Sequence, residues 1–246
     1  TFVWSTDIGT IDASGLLTAS TVTGTGTVTA TNGTVSGSAT VTVVAGALDH
    51  IVVLPNPATV TVGGTQLFAA TGYDVYNNVI SGVGLVWTTN VGTINSAGVL
   101  TAQTVPGMGT ATATNGSIGG SATVTVVPAA LHHIIVLPNP ATVVVGNQQQ
   151  FTATAYDIYN NVIPAVTFLW TTDMGIVNFA GMFTARSTVG TGFVRASSGS
   201  IYGNATVTLT PGALHHIIVS PDPVTVGAGQ TQAFTAVAYD INNNVI

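Results

Sequence analysis

Few side chains in this chain can do chemistry, and their spacing says more than their number. The ionisable set is eight Asp, two Arg (Arg186 and Arg195) and five His, with neither Lys, Glu nor Cys. Asp74, Asp157 and Asp240 each sit in a Tyr-Asp-x-x-Asn-Asn segment (Tyr73–Asn78, Tyr156–Asn161, Tyr239–Asn244). An oxygen-rich loop of this kind makes them candidate calcium ligands, although calcium takes about 6–8 oxygens and each loop offers one carboxylate. The competing reading is that each Asp accepts backbone N–H bonds within its own turn. The histidines fall at His50, His132-His133 and His215-His216. Neighbouring strand residues point to opposite faces, so a His pair there does not converge on one metal. They read instead as a polar strand edge, and no metal or other cofactor is expected.

Catalysis needs converging acid, base or nucleophile groups. Dispersed Asp residues without Glu, Lys or Cys form no such constellation, so the chain reads as not an enzyme. Lys–Asn isopeptide and Cys–Gln thioester crosslinks are chemically impossible within it. Asn-x-Ser/Thr sequons at Asn32, Asn115 and Asn204 are candidate glycosylation sites, the first two on Asn-Gly hairpin tips.

The elements that must position these residues are repeated. Trp4, Trp87 and Trp170 are spaced by 83 residues, since 87 − 4 and 170 − 87 agree. Leu48, Leu131 and Leu214 keep the same interval, as do the three Tyr-Asp pairs. A fixed period of this length means one supersecondary unit copied in tandem. The expected domains are 48–127 and 131–210, flanked by the C-terminal part of one (1–45) and the N-terminal part of another (214–246).

Within one copy, Leu48–Leu54 is β-rich and stops at Pro55-Asn56-Pro57, which fits an edge strand or a strand switch. Ala58–Val62 follows, then a Gly63-Gly64 turn, then a strand over Thr65–Tyr73. Asp74–Asn78 reads as a turn, with Asn suited to positive φ. Short strands are expected over Val91–Ile94, Gly98–Ala102, Thr110–Thr114 and, after the Asn115-Gly116 hairpin, Ala122–Val127. No window carries useful helical periodicity. The fold class is therefore all-β: tandem immunoglobulin-like sandwiches. Trp4, Trp87, Trp170, Phe68, Phe151 and Phe234 are the expected core.

Composition agrees. Charged residues are 4% of the chain, against roughly 25% in ordinary soluble domains. Net charge is −6 with no basic cluster, which excludes a nucleic-acid surface. At 46% hydrophobic the chain is not a disordered composition. Val, Ala, Ile and Leu alternate with Thr, so the surface should be a lawn of hydroxyls that associates easily. No apolar run reaches the ~18–20 residues of a membrane span.

The pattern L-x-H-I-x-V-x-P-x-P-A-T-V…Q-x-F-x-A-x-A-Y-D…W-T-T…G-T-x-T-A-T…S-A-T-V-T-V resembles the bacterial immunoglobulin-like domains of prokaryotic surface proteins, including invasin- and intimin-type adhesins. The resemblance runs along the whole chain and implies an extracellular or cell-surface location. It implies stalk, spacer, adhesin or surface-layer roles equally. Linkers of three residues, Ala45-Gly46-Ala47, Pro128-Ala129-Ala130 and Pro211-Gly212-Ala213, predict semi-rigid joints. The part-copies at the two ends fit either a window of a longer array or subunits that complete each other by strand complementation. The expected partners are thus other copies or adjacent repeats in a filament, and glycans. The leading function is a structural component of an extracellular filament or stalk; the alternative is an adhesion or glycan-binding module. The copies look interchangeable, with no divergent aromatic-rich domain of the kind an adhesin tip would show.

Overall fold

The computed structural model describes residues 1–246, which form two compact units, Thr1–Val127 and Pro128–Ile246. Every regular element is a β-strand. No helix is long and apolar enough to cross a membrane.

In the first unit, a four-stranded sheet runs in the order Val86–Thr89, Gly107–Asn115, Ile118–Val127, Ala58–Thr61. The long hairpin at its centre pairs Asn115 with Ile118 across an Asn-Gly tip, where Gly116 has φ 59° as a tight hairpin demands. The last pairing, Ala58–Thr61 with Ile118–Val127, is parallel. The facing layer consists of two smaller sheets. One contains Val79–Ile80, Ala69–Tyr73 and His50–Leu54; the other contains Gly92–Ile94, Val99–Ala102 and Thr65–Leu67. Pro55-Asn56-Pro57 is therefore a strand switch, since the residues before and after it belong to different sheets.

The second unit repeats this plan. Its four-stranded sheet orders Ala141–Val144, Ile201–Thr210, Gly190–Ser198, Leu169–Thr172. Two smaller sheets, His133–Leu137 with Thr152–Tyr156 and Gln148–Gln150 with Met182–Ala185 and Gly175–Val177, face it. All-β chains of this layering are immunoglobulin-like sandwiches.

One expected strand, Thr65–Tyr73, is broken at Phe68. The Phe68 N–H leaves both ladders to donate to the Gly98 carbonyl, and the strand passes from one small sheet to the other. Leu67-Phe68-Ala69-Ala70 is a continuous apolar run, which gives no local sign of where the strand changes sheets.

The core corrects part of the expectation. Phe68 and Phe151 are buried, and Phe151 meets Phe183 edge-on at 6.0 Å. The three tryptophans are only half-buried. Each indole lies over the turn glycine of its own copy: Gly15, Gly98 and Gly181 have the Trp4, Trp87 and Trp170 rings as near neighbours. Trp thus roofs a tight turn at the edge of the core, Trp170 packing against the second unit's buried cluster, while Phe68, Leu100 and small residues such as Ala111, Ala113 and Ala122 fill the interior of the first. Phe234, at the equivalent position, is 54% exposed.

The two layers approach closely at Gly120 and Gly203, where an added Cβ would collide with the carbonyl oxygens of Ile51 and Ile134. Neither collision can be relieved by turning a side chain. Gly120→Ala is expected to destabilise the first unit by at least about 2 kcal/mol, read by urea denaturation.

Candidate functional site

The loop of each Tyr-Asp-x-x-Asn-Asn segment is a closed turn. Asp74 N–H donates to the Asn78 carbonyl and Asn77 N–H to the Asp74 carbonyl, while Asn77 takes φ 65°, tolerable for Asn. Asn160 and Asn243 repeat the conformation at 62°. The Asp side chain turns inward and is nearly inaccessible, at 1% for Asp74 and 0% for Asp157 and Asp240.

A buried carboxylate is costly unless hydrogen-bonded, and this one is saturated. Asp74 Oδ1 accepts the N–H groups of Tyr76 and Asn78, each at 2.9 Å. Its Oδ2 accepts the Gly46 N–H at 2.8 Å and the Asn78 side-chain amide at 2.9 Å. Gly46 is the central residue of the linker preceding the copy. The Asn78 amide then reaches outward: Nδ2 also donates to the Thr21 carbonyl at 2.8 Å, and Oδ1 accepts from Thr23 N–H at 3.3 Å. Thr21 and Thr23 belong to the segment before the linker. One Asp–Asn pair thus clasps the turn, the linker and the neighbouring sandwich.

The second unit contains the same clasp. Asp240 Oδ2 accepts from Gly212 N–H at 2.9 Å and from the Asn244 amide at 2.8 Å. Asn244 Nδ2 donates to the Ser187 carbonyl at 2.9 Å and its Oδ1 accepts from Val189 N–H at 3.3 Å. Asp157 holds its own linker likewise, through Ala129 N–H at 3.0 Å and the Asn161 amide at 3.0 Å. The groups around these candidate calcium ligands are N–H donors, where a calcium ion would need further oxygens.

The clasp sets the protonation state. The Asn78 amide is the largest influence on Asp74; against the cost of burial, it and the N–H groups of Gly46, Asn78 and Tyr76 lower the pKa from 3.8 to about 2. For Asp157 and Asp240, burial is the largest single influence and raises the pKa, yet the Asn amide and three backbone N–H groups together outweigh it and again bring it to about 2. A carboxylate more acidic when folded stabilises the fold above its unfolded pKa and loses that contribution as pH falls through its folded one. Thermal stability of both units is therefore expected to be flat near neutrality and to fall between pH 3.8 and about 2, as melting curves across that range will show.

The histidines differ from expectation. His132 Nδ1 and His133 Nδ1 lie 3.2 Å apart, as do His215 Nδ1 and His216 Nδ1, so adjacent side chains do meet. His132 precedes the strand His133–Leu137 and escapes its alternation, and a register shift between Leu214 and His216 does the same for His215. The inner His stacks on the Tyr of the clasp loop, with centroids 5.2 Å apart for His133–Tyr156 and 5.3 Å for His50–Tyr73 and His216–Tyr239. In the first complete copy, His50 Nδ1 instead meets Asp49 Oδ2 at 3.0 Å, the chain's one ion pair.

Asn32 and Asn115 lie exposed at hairpin tips, and Asn115 Nδ2 donates to the Gly84 carbonyl at 2.7 Å. Asn204 is mid-strand, its Oδ1 accepting from Arg195 Nε at 2.9 Å.

The copies are not interchangeable after all. On the outward face of the second unit's large sheet, the Arg195 guanidinium carbon lies 4.8 Å from the Phe193 ring centroid and 4.2 Å from that of Tyr202. The equivalent residues one period earlier are Thr112, Thr110 and Gly119. Phe179, equivalent to Ser96, is 93% exposed. Comparing copies at the 83-residue interval would have revealed this divergence.

No protein-family model matches the chain. It is 31% identical over 211 residues to Ice-binding protein 1 of Shewanella frigidimarina, covering 80% of this chain and 23% of that protein. The chain thus spans less than a quarter of the curated relative it matches. Among solved structures, the Escherichia coli adhesin FdeC superposes with a TM-score of 0.50 at 20% identity, covering 82% of this chain and 77% of that one. Cadherin domains 1–4 of protocadherin gamma B7 give a TM-score of 0.52 at 14% identity over 100% of this chain and 77% of that one. The chain is a tandem array of immunoglobulin-like β-sandwiches, similar in fold to those of a bacterial surface adhesin.

Proposed function

We propose that the chain is a load-bearing part of an extracellular prokaryotic filament or surface stalk, and that its work is mechanical, with no turnover. The observation that carries this is the clasp: in each unit a buried Asp and its Asn partner tie turn, linker and preceding sandwich together. A linker pinned at its central N–H transmits force without hinging, and it needs neither disulfide nor crosslink to do so. The hydroxyl-rich, charge-poor faces suit contact with further copies. The likeness in fold to a bacterial adhesin supports a place at the cell surface.

Immunogold labelling of intact source cells with antibody against the chain tests the reading. Label along extracellular fibres or projecting stalks is expected; label confined to the cytosol overturns it. A second reading, adhesion, is favoured by the divergent Arg195 face.

A further inference from the structure

The outward face around Arg195 is built unlike the equivalent faces of the other copies. Gly190–Ser198 and Ile201–Thr210 are the two inner strands of their sheet, so this face has no free backbone edge and can contact a partner only through side chains. Val194, Ala196, Ala205 and Val207 fill the core, which leaves Phe193, Arg195, Tyr202 and Asn204 outside. Arg195 spends its Nε on Asn204, and no carboxylate pairs with it, since the chain's one ion pair is His50–Asp49. Its two terminal nitrogens have no partner in the molecule, while the guanidinium lies over the Phe193 and Tyr202 rings.

We infer that this face binds a carboxylated polysaccharide, a uronate-bearing glycan, independently of the stalk reading above. A planar fork held in place is suited to a carboxylate, which it meets with two parallel N–H···O bonds. The exposed Tyr202 ring beside it offers the apolar plane on which the C–H face of a sugar ring rests. Charge complementarity selects the partner. Arg195 is one of two cationic side chains besides His in a chain of net charge −6, so an anion is attracted here against a background that repels it elsewhere. One such group is too little for nucleic acid, whose binding needs several phosphate contacts. A neutral glycan would leave the guanidinium unpaired.

Affinity electrophoresis of the whole chain at low salt, in gels containing polygalacturonate, dextran or poly-glutamate, tests this. Retardation is expected in polygalacturonate alone. Arg195→Thr and the double variant Phe193→Thr/Tyr202→Gly install residues that the preceding copy carries at the same places; each is expected to weaken retardation about tenfold or more. Arg195→Lys keeps the charge but loses the fork, and is expected to weaken it with the melting temperature unchanged. Absence of retardation in polygalacturonate, equal retardation in dextran or poly-glutamate, or full binding by Arg195→Thr would overturn the assignment.

Discussion

Asp74→Ala is expected to lower the melting temperature of the first unit by on the order of 10 °C and to release residues 1–45 from their hold on 48–127. The substitution leaves the N–H groups of Gly46, Tyr76 and Asn78 and the Asn78 amide facing an empty space. Unpaired buried donors lose the full cost of their desolvation, which is why removing the acceptor hurts more than the net strength of each bond suggests. Asn78→Ala separates the two roles of the clasp. It keeps the bonds from the Tyr76 and Gly46 N–H groups to Asp74 but removes the contacts to Thr21 and Thr23. It should therefore loosen the joint with a smaller fall in melting temperature. Calorimetry reads the stability, and NMR relaxation reads whether the two segments still tumble together. Equal melting temperatures for Asp74→Ala and the native chain would refute the clasp as a structural element.

Phe151→Ala should cost the second unit about 3–5 kcal/mol in urea denaturation, the range for emptying an aromatic site in a packed core. Phe151 is fully buried, stands edge-on to Phe183 and packs within a cluster that includes Val136, Val143, Val194 and Leu209. A loss below about 1 kcal/mol would refute the packed aromatic core.

The sandwich was legible because its signals are local. Alternating Thr and apolar residues, Asn-Gly tips and the 83-residue period each dictate a strand, a turn or a copy without reference to distant residues. The half-burial of the tryptophans is not written in their size and aromaticity, which argue for full burial; each indole borders the core and roofs a turn glycine. The break at Phe68 was invisible, since its cause is a long-range bond to the Gly98 carbonyl. Of the clasp, the sequence displays the Asp and the Asn but not their purpose. The partner in the linker lies 28 residues away from Asp74, and the partners in the preceding segment lie more than 50 residues from Asn78. Periodicity displays what the copies share, whereas the Arg195 face lies in their differences.

The most direct measurement is amide hydrogen exchange at Gly46 and Gly212 in the native chain at neutral pH, with calcium added and with a chelator. If a carboxylate clasp holds the joints, both amides exchange at least about a hundredfold more slowly than in an unfolded chain, equally under both conditions. Exchange at unfolded rates, or protection that appears only with calcium, would contradict it.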